Sequence, residues 1–390
     1  MKRLENDDSV PARVLQVFST LNNGGAENRI MDVFRHLDQE HVLFDFSVVH
    51  PGEHFFTQEI LRSNSRIYCL PDPRSGLIRN YFAWRKFFAE HRYAAVHTHV
   101  SWYGGLVLLA AKRAGIPYRV AHARGTEEPG MSLGRKAARA LGRFLFTLSA
   151  TSRLAISEEA AKNIFGPACV KARRYQYVPN SIDCAKYLVL DGENRTLLRK
   201  TIGIPSDAKA YVTVANFRKP KNHLFLLDIA DELRKRDDSS RLYLIGDGEL
   251  RDEIRKKIER LGLQDTVCLL GPRGDVPSIL CVFDGMIFPS LFEGLGGVVL
   301  EAQIVGVPAF VSTAIPKEAD VGIHMVEFLS LEESPAQWAE TIIRQVHHVS
   351  WDRETALRAF QERGYSIENT AEQYLKAYGL SERDIAKAFR

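Results

Sequence analysis

No Asp-x-Asp pair occurs anywhere in this sequence, which removes the usual carboxylate device for holding a divalent metal on a nucleotide diphosphate. A Walker phosphate loop is missing too. The nearest approach to a dinucleotide-binding glycine pattern, Gly246-Asp247-Gly248, has Arg251 where the third glycine belongs, which argues against kinase and dehydrogenase readings. Cysteine is scarce: Cys69, Cys169, Cys184, Cys268 and Cys281 are scattered, odd in number and never spaced as CxxC. Neither a disulfide framework nor a zinc site is indicated. Charge of one sign is also lacking, since 52 basic against 48 acidic residues leave +4, too near balance for nucleic acid to be the main partner. Apolar runs are short. The longest, residues 106–111, falls far below the roughly 20 residues needed to cross a bilayer. The segment Met1-Lys2-Arg3-Leu4-Glu5-Asn6-Asp7-Asp8 is polar and has no apolar signal core, so a cytoplasmic protein is expected.

What is present is a steady alternation of short apolar runs with helical segments, the pattern of parallel sheets covered by helices on both faces. Strands are expected at 12–18, 42–49, 66–70, 94–98, 118–123 and 150–156, and again at 210–215, 241–245, 266–269, 285–288 and 308–311. A chain of 390 residues is long for one core. Two doubly wound domains are therefore expected, with ligand at the carboxyl ends of the strands. The junction falls at the turn-rich run Pro179-Asn180-Ser181-Ile182-Asp183.

The most informative segment is Phe288-Pro289-Ser290-Leu291-Phe292-Glu293-Gly294-Leu295-Gly296-Gly297-Val298-Val299-Leu300-Glu301, read as strand, glycine-rich turn and helix from near Gly296. Open amides at a helix amino terminus bind phosphate, and glycines let the backbone come close. Glu293 precedes that terminus, and Glu301 lies about one turn, roughly 6 Å, into the helix. Two acids thus bracket a diphosphate site and can accept hydrogen bonds from hydroxyls. The same letters also fit a plain strand–turn–helix with an acid facing solvent at each end.

Glu293 and Glu301, separated by seven residues, resemble the E-x7-E motif of the retaining family-four glycosyltransferases, which have the GT-B fold. Gly24-Gly25-Ala26-Glu27, Pro179-Asn180-Ser181-Ile182-Asp183 and Gly246-Asp247-Gly248-Glu249-Leu250 match further family pieces, so the likeness covers nearly the whole chain. Val96-His97-Thr98-His99, Lys221-Asn222, Phe328-Leu329-Ser330-Leu331 and Trp338-Ala339-Glu340 look most like the bacterial exopolysaccharide and capsule group.

The resemblance implies an α/β protein with two doubly wound Rossmann-like domains facing a central cleft. An acceptor-side domain would span 1–182, a donor-binding domain 183–365, and a terminal helix, 366–390, would cross back to the first domain. It implies a hexose-type donor on a nucleotide, with uridine favoured, and a glycan or lipid-linked acceptor. No cofactor and no divalent metal are expected. By the same resemblance Glu293 holds the donor hexose and Glu301 the ribose. Gly294, Leu295, Gly296 and Gly297 supply the diphosphate turn, while Gly24 and Gly25 lie over the diphosphate and the reacting sugar. Backbone groups around Gly271-Pro272-Arg273 read the base.

Lys221 matches the family lysine. The family's Gly-Arg pair is replaced by Ala215-Asn216, so the arginine would have to come from Arg218. Arg218 and Lys221 could neutralise a diphosphate, arginine offering a planar fork of donors. Taken alone they also fit a solvated basic loop. Glycine at 24 and 25 is, as plain structure, only a tight turn.

His122 ends a strand, precedes Arg124-Gly125-Thr126-Glu127, and matches the family histidine that contacts the donor sugar. His97 and His99 end the neighbouring strand and share one face, with Thr98 opposite. His99 and Arg124 are the acceptor-side candidates. A metal on His97 and His99 would need a third ligand, and none is close in sequence.

Residues 132–148 carry an apolar stripe (Leu133, Ala137, Leu141, Phe144, Leu145, Leu148) and a basic one (Arg135, Arg139, Arg143, joined by Lys136). This fits a peripheral contact with the inner membrane or a lipid diphosphate. It fits equally a core helix with a solvated charged face. Two other functions stay open on sequence alone: a nucleotide-sugar epimerase of similar shape, and a non-catalytic nucleotide-sugar binding protein.

Overall fold

The computed structural model describes residues 11–125, 133–187, 189–190, 192–346 and 350–389. The polar amino-terminal run, Thr126-Glu127 and the first residue of the 132–148 segment lie outside these, as do the side chains of Leu133 and Arg135. The chain divides into two compact units, one of residues 1–182 with 364–390, the other of residues 183–363.

The first unit is built on β1 (Ala12–Val17), β2 (Val42–Val48), β3 (Ile67–Cys69), β4 (Ala95–Thr98), β5 (Tyr118–Ala123), β6 (Ser152–Ala155) and β7 (Gln176–Tyr177). All pair in parallel in the order β3-β2-β1-β4-β5-β6-β7. Strand β2 is buried at every position, as expected of a parallel sheet covered on both faces. Its one charge, Asp45, is matched by Arg13 at 2.9 Å, the Tyr93 hydroxyl at 3.1 Å and the Arg66 amide at 2.9 Å, so the buried carboxylate is fully engaged.

The end of the chain completes this unit's core. Ile367, Ala371, Tyr374, Leu375 and Tyr378 pack with Val14, Ile30, Phe34, Phe44 and Phe46. The Ile, Leu, Val and Phe side chains among these contribute roughly 1.5–3 kcal/mol each on burial. The expected single terminal helix is two, Ile367–Ala377 and Glu382–Lys387. The break comes at Gly379, whose φ is 78° and where a Cβ would sit 1.8 Å from the Tyr118 ring.

The second unit holds β8 (Lys209–Val214), β9 (Ser240–Ile245), β10 (Val267–Gly271), β11 (Gly285–Phe288), β12 (Ala309–Ser312) and β13 (Val326–Leu329). They are parallel in the order β10-β9-β8-β11-β12-β13. Tyr211, Leu242, Leu244 and Ile287 pack under helix His223–Arg236 and Trp338. In each sheet the order reverses once, at β1/β4 and at β8/β11. Ligands of open α/β sheets bind at such points, beyond the carboxyl ends of the strands.

Three expectations need correction. Strand β13 was not expected: it reads Val-Glu-Phe-Leu and shows no apolar run, whereas β7, only two residues long, is the strand-like segment just before the junction. The helix Leu133–Ser149 does not send its apolar stripe to the core. Leu141, Phe144 and Leu148 are exposed, Phe144 by 64%, while Leu145 and Phe146 are buried. Nor is its basic stripe solvated throughout. Arg139 and Arg143 donate to the Asn163 carbonyl, at 2.9 and 2.8 Å through Nε and one terminal nitrogen respectively, capping the end of the helix Glu158–Phe165. The unsatisfied carbonyls of one helix claimed the cations of its neighbour.

Candidate functional site

At the switch point of the first unit, His97 and His99 close β4 and His122 lies near the end of β5. Alternation along β4 puts His97 and His99 together, their ring centroids 4.1 Å apart. His97 Nε2 lies 3.1 Å from His122 Nδ1 and its Nδ1 lies 2.7 Å from the Tyr378 hydroxyl. Gln16, at 0% exposure on β1, bonds His99 Nε2 at 2.9 Å through Oε1 and donates to the Tyr378 hydroxyl at 3.1 Å through Nε2. Arg124 donates from Nε to His99 Nδ1 at 2.9 Å, and from its terminal nitrogens to Asn180 Oδ1 at 2.9 Å and the Tyr374 hydroxyl at 2.8 Å. Phe18 stacks on His99 at 4.3 Å. His99, His122, Arg124, Ser101 and Asn163 line a cavity of about 280 Å³.

Burial is the main reason all three imidazoles sit well below the ordinary histidine pKa, with the Arg124 cation adding to it. They are neutral rings. Glu27 belongs to the same neighbourhood. Burial pushes its carboxyl up, against the opposing pull of its backbone, Arg124 and Thr20. Gly24 caps the helix Gly25–His36 without a side-chain bond, and Gly25 opens that helix.

The third histidine that sequence distance concealed is His122. Among the described residues, ring nitrogens of His97, His99 and His122 lie within 4.8 Å of one another and could hold a metal. Five of their six nitrogens already carry hydrogen bonds, one from the Arg124 cation, and an ion would have to displace them. The imidazole set fits a hydrogen-bonded cluster better than a metal centre.

In the second unit the segment after β11 turns as expected. Gly296 takes a left-handed φ of 82° and caps the helix Gly297–Ile304, leaving that helix start without a side-chain cap. Leu295 is buried and anchors the turn. Lys221 forms an ion pair with Glu293, whose Oε1 also accepts from Ser290 Oγ at 3.0 Å. The ammonium lies 5.2 Å from the Phe288 ring centre. Two bonds to proline carbonyls hold the loops together, from the Leu291 amide to Pro220 O at 2.8 Å and from Asn222 Nδ2 to Pro289 O at 3.1 Å. Glu301 is half-buried on the helix that Gly296 caps.

Not all candidates are drawn in. Arg218 is exposed and caps the short turn Lys219–Lys221, so only Lys221 of the basic pair touches Glu293. Arg273 is held by Asp275 at 2.6 and 2.8 Å. A cavity of about 290 Å³ in this unit lies by Asp284 and Pro308, at the amino ends of β11 and β12 and away from these loops.

Sequence reasoning missed Gln16, Tyr374 and Tyr378. Gln16 looked like any strand residue. The two tyrosines carried a signal, a helical period, that spoke only for packing. Glu27 and Asn180 fall within motifs that give them no role of their own.

The descriptions that match are "Glycosyl transferases group 1" over residues 208–348 and "Glycosyltransferase Family 4" over residues 23–186. EpsF of Bacillus subtilis (strain 168), which carries a glycosyltransferase name, is 32% identical over 380 residues, covering 96% of this chain and 98% of EpsF. The capsular polysaccharide biosynthesis glycosyltransferase CapH of Staphylococcus aureus is 23% identical over 87% of this chain and 93% of its own. Among solved structures, Anabaena HepE in complex with UDP-glucose superimposes with a TM-score of 0.77 at 18% identity, over 94% of this chain and 99% of HepE.

Proposed function

This chain belongs to the glycosyltransferases of group 1 and family 4, with the GT-B fold, and from that membership we propose that it is a retaining, metal-independent hexosyltransferase using a UDP-sugar. Glycosyl transfer in polysaccharide biosynthesis is the activity its relatives support. The acceptor in this reading is a glycan or a lipid-linked sugar of a bacterial surface polysaccharide. The carrying observation is the second unit's turn, where Lys221 and Glu293 meet just ahead of the helix start at Gly297, which has no side-chain cap.

Backbone amides there, with Lys221, stabilise the diphosphate as charge develops on the leaving group. Glu293 accepts from the hexose hydroxyls and Glu301 from the ribose. Arg218, exposed next to Lys221, turns to the phosphates. No general base is needed if the acceptor's proton passes to the departing phosphate oxygen on the same face. HepE's bound UDP-glucose supports uridine as the base. The exposed edge Leu141, Phe144 and Leu148, with Lys136 beside it, supports contact with an anionic membrane surface. Among the described residues no helix is long and apolar enough to cross one.

The deciding experiment is a panel of nucleotide sugars with and without a lipid-linked sugar acceptor, reading free nucleoside diphosphate and product anomer, with chelator in parallel. Acceptor-dependent release of UDP with a retained anomeric centre, unchanged by chelator, is expected. Donor turnover without acceptor would indicate an epimerase. Loss of turnover on chelation would remove the metal-independent reading.

A further inference from the structure

The hydrogen bonds around His122 have a direction, and a single group sets it. The Arg124 Nε–H can only donate, and it lies 2.9 Å from His99 Nδ1. His99 is therefore unprotonated there and, being neutral, carries its proton on Nε2. That N–H faces Gln16 at 2.9 Å and needs the amide oxygen, which orients the Gln16 side chain. The Gln16 NH2 then donates to the Tyr378 hydroxyl at 3.1 Å. The hydroxyl, already an acceptor, has its own proton left for His97 Nδ1 at 2.7 Å. Turning it elsewhere would leave a buried donor unmatched.

His97 consequently keeps its proton on Nε2 and donates it to His122 Nδ1 at 3.1 Å. The two rings are parallel within 3° with centroids 5.2 Å apart, a geometry that admits an N–H···N bond between them. The last atom of the series is His122 Nε2, which is buried and has no partner among the described residues. His122 is 3% exposed and lines the 280 Å³ cavity.

We propose that this chain of bonds, from Arg124 through His99, Gln16, Tyr378 and His97, sets the His122 tautomer so that Nε2 is a hydrogen-bond donor held ready for a ligand oxygen. Tyr378 is the positioning residue that carries the direction across from Gln16 to His97. The ligand oxygen, a sugar hydroxyl or a phosphate oxygen, rests on the glycosyltransferase reading above. The direction does not. His122 so arranged stabilises charge or orients a hydroxyl, and it takes up no proton. Among the described residues Arg124 is the charged group that acts on all three rings, with Glu27 acting on Arg124 in turn, and the cation is what prevents reversal.

Nitrogen-15 spectra of histidine-labelled full-length protein without ligand test the direction. His97, His99 and His122 should each show a protonated Nε2 and an unprotonated Nδ1. A protonated Nδ1 on His122 overturns the proposal. Tyr378→Phe should populate both His122 tautomers and lower kcat about tenfold, the value of one hydrogen bond, with unchanged affinity for UDP. An unaltered His122 spectrum in Tyr378→Phe also overturns it. Should that variant fail to fold, Gln16→Met, close in volume, releases the same constraint and is read the same way. If the tautomers follow the proposal but no glycosyl transfer is detected with wild type, the functional reading fails and the chain of bonds stands.

Discussion

In the first unit the carboxyl ends of β1, β4 and β5 gather three neutral imidazoles, an amide and two phenols around one arginine. In the second unit the same region of its sheet, beyond β8 and β11, gathers a lysine and a carboxylate in contact. The first arrangement is buried, so it works by removing charge and directing dipoles. The second is part-exposed at a helix start, so it keeps charge and balances it. Two parallel sheets with matching strand order therefore supply two kinds of group: oriented donors with no net charge on the rings, and a balanced lysine–carboxylate pair, proposed here to meet a leaving diphosphate.

The sharpest break in that comparison is Glu293→Ala in the second unit. Turnover of the full donor should fall by about 100-fold or more, as when an electrostatic transition-state contact is removed. Affinity for free UDP by calorimetry should stay within a few-fold. A parallel loss of UDP affinity would show that Glu293 serves the whole nucleotide.

Acidification separates the units next. Burial lowers the pKa of His97, His99 and His122, so the unfolded chain takes up protons first as pH falls. Stability is intact above the ordinary histidine value of 6.5 and is lost below it until the folded rings protonate. His223, pushed by burial and Lys221 down to about 4, costs the second unit on the order of 3 kcal/mol between its ordinary 6.5 and about 4. The first unit, with three such rings, should lose more. Hydrogen exchange read from strand peptides of each unit checks this. Equal losses in both sheets would deny the contrast.

Glu301→Ala should weaken UDP binding by roughly tenfold or more, the value of about 1.5–3 kcal/mol for a charge-assisted pair. Unchanged affinity in calorimetry would remove it from the ribose. The smallest effect is expected at the exposed helix edge of the first unit. Phe144→Ser should cut binding to anionic vesicles several-fold, with transfer to a water-soluble acceptor unaltered. Retained vesicle binding would place membrane contact elsewhere.

The second unit's candidate was the more legible because its parts are contiguous. Glu293, Gly296 and Glu301 lie on one strand–turn–helix, and only Lys221 had to be brought in from another loop. The first unit's was not. Tyr378 meets His97 across 281 positions and Gln16 across 362, distances at which no spacing rule applies. Tyr374 and Tyr378 recur at helical spacing, which accounts for their burial but says nothing of where their hydroxyls point. The helix Leu133–Ser149 misled for a related reason: amphipathicity names two faces without saying which one meets the core.

Sequence alone thus determined the two parallel sheets and the glycine-capped helix start, because alternation, turn chemistry and helix capping act over a few residues. Tertiary structure decided which hydroxyl meets which imidazole, which arginines cap a neighbouring helix and which apolar edge stays exposed. Those outcomes depend on burial and on unmet hydrogen bonds, and both are set only when distant segments pack.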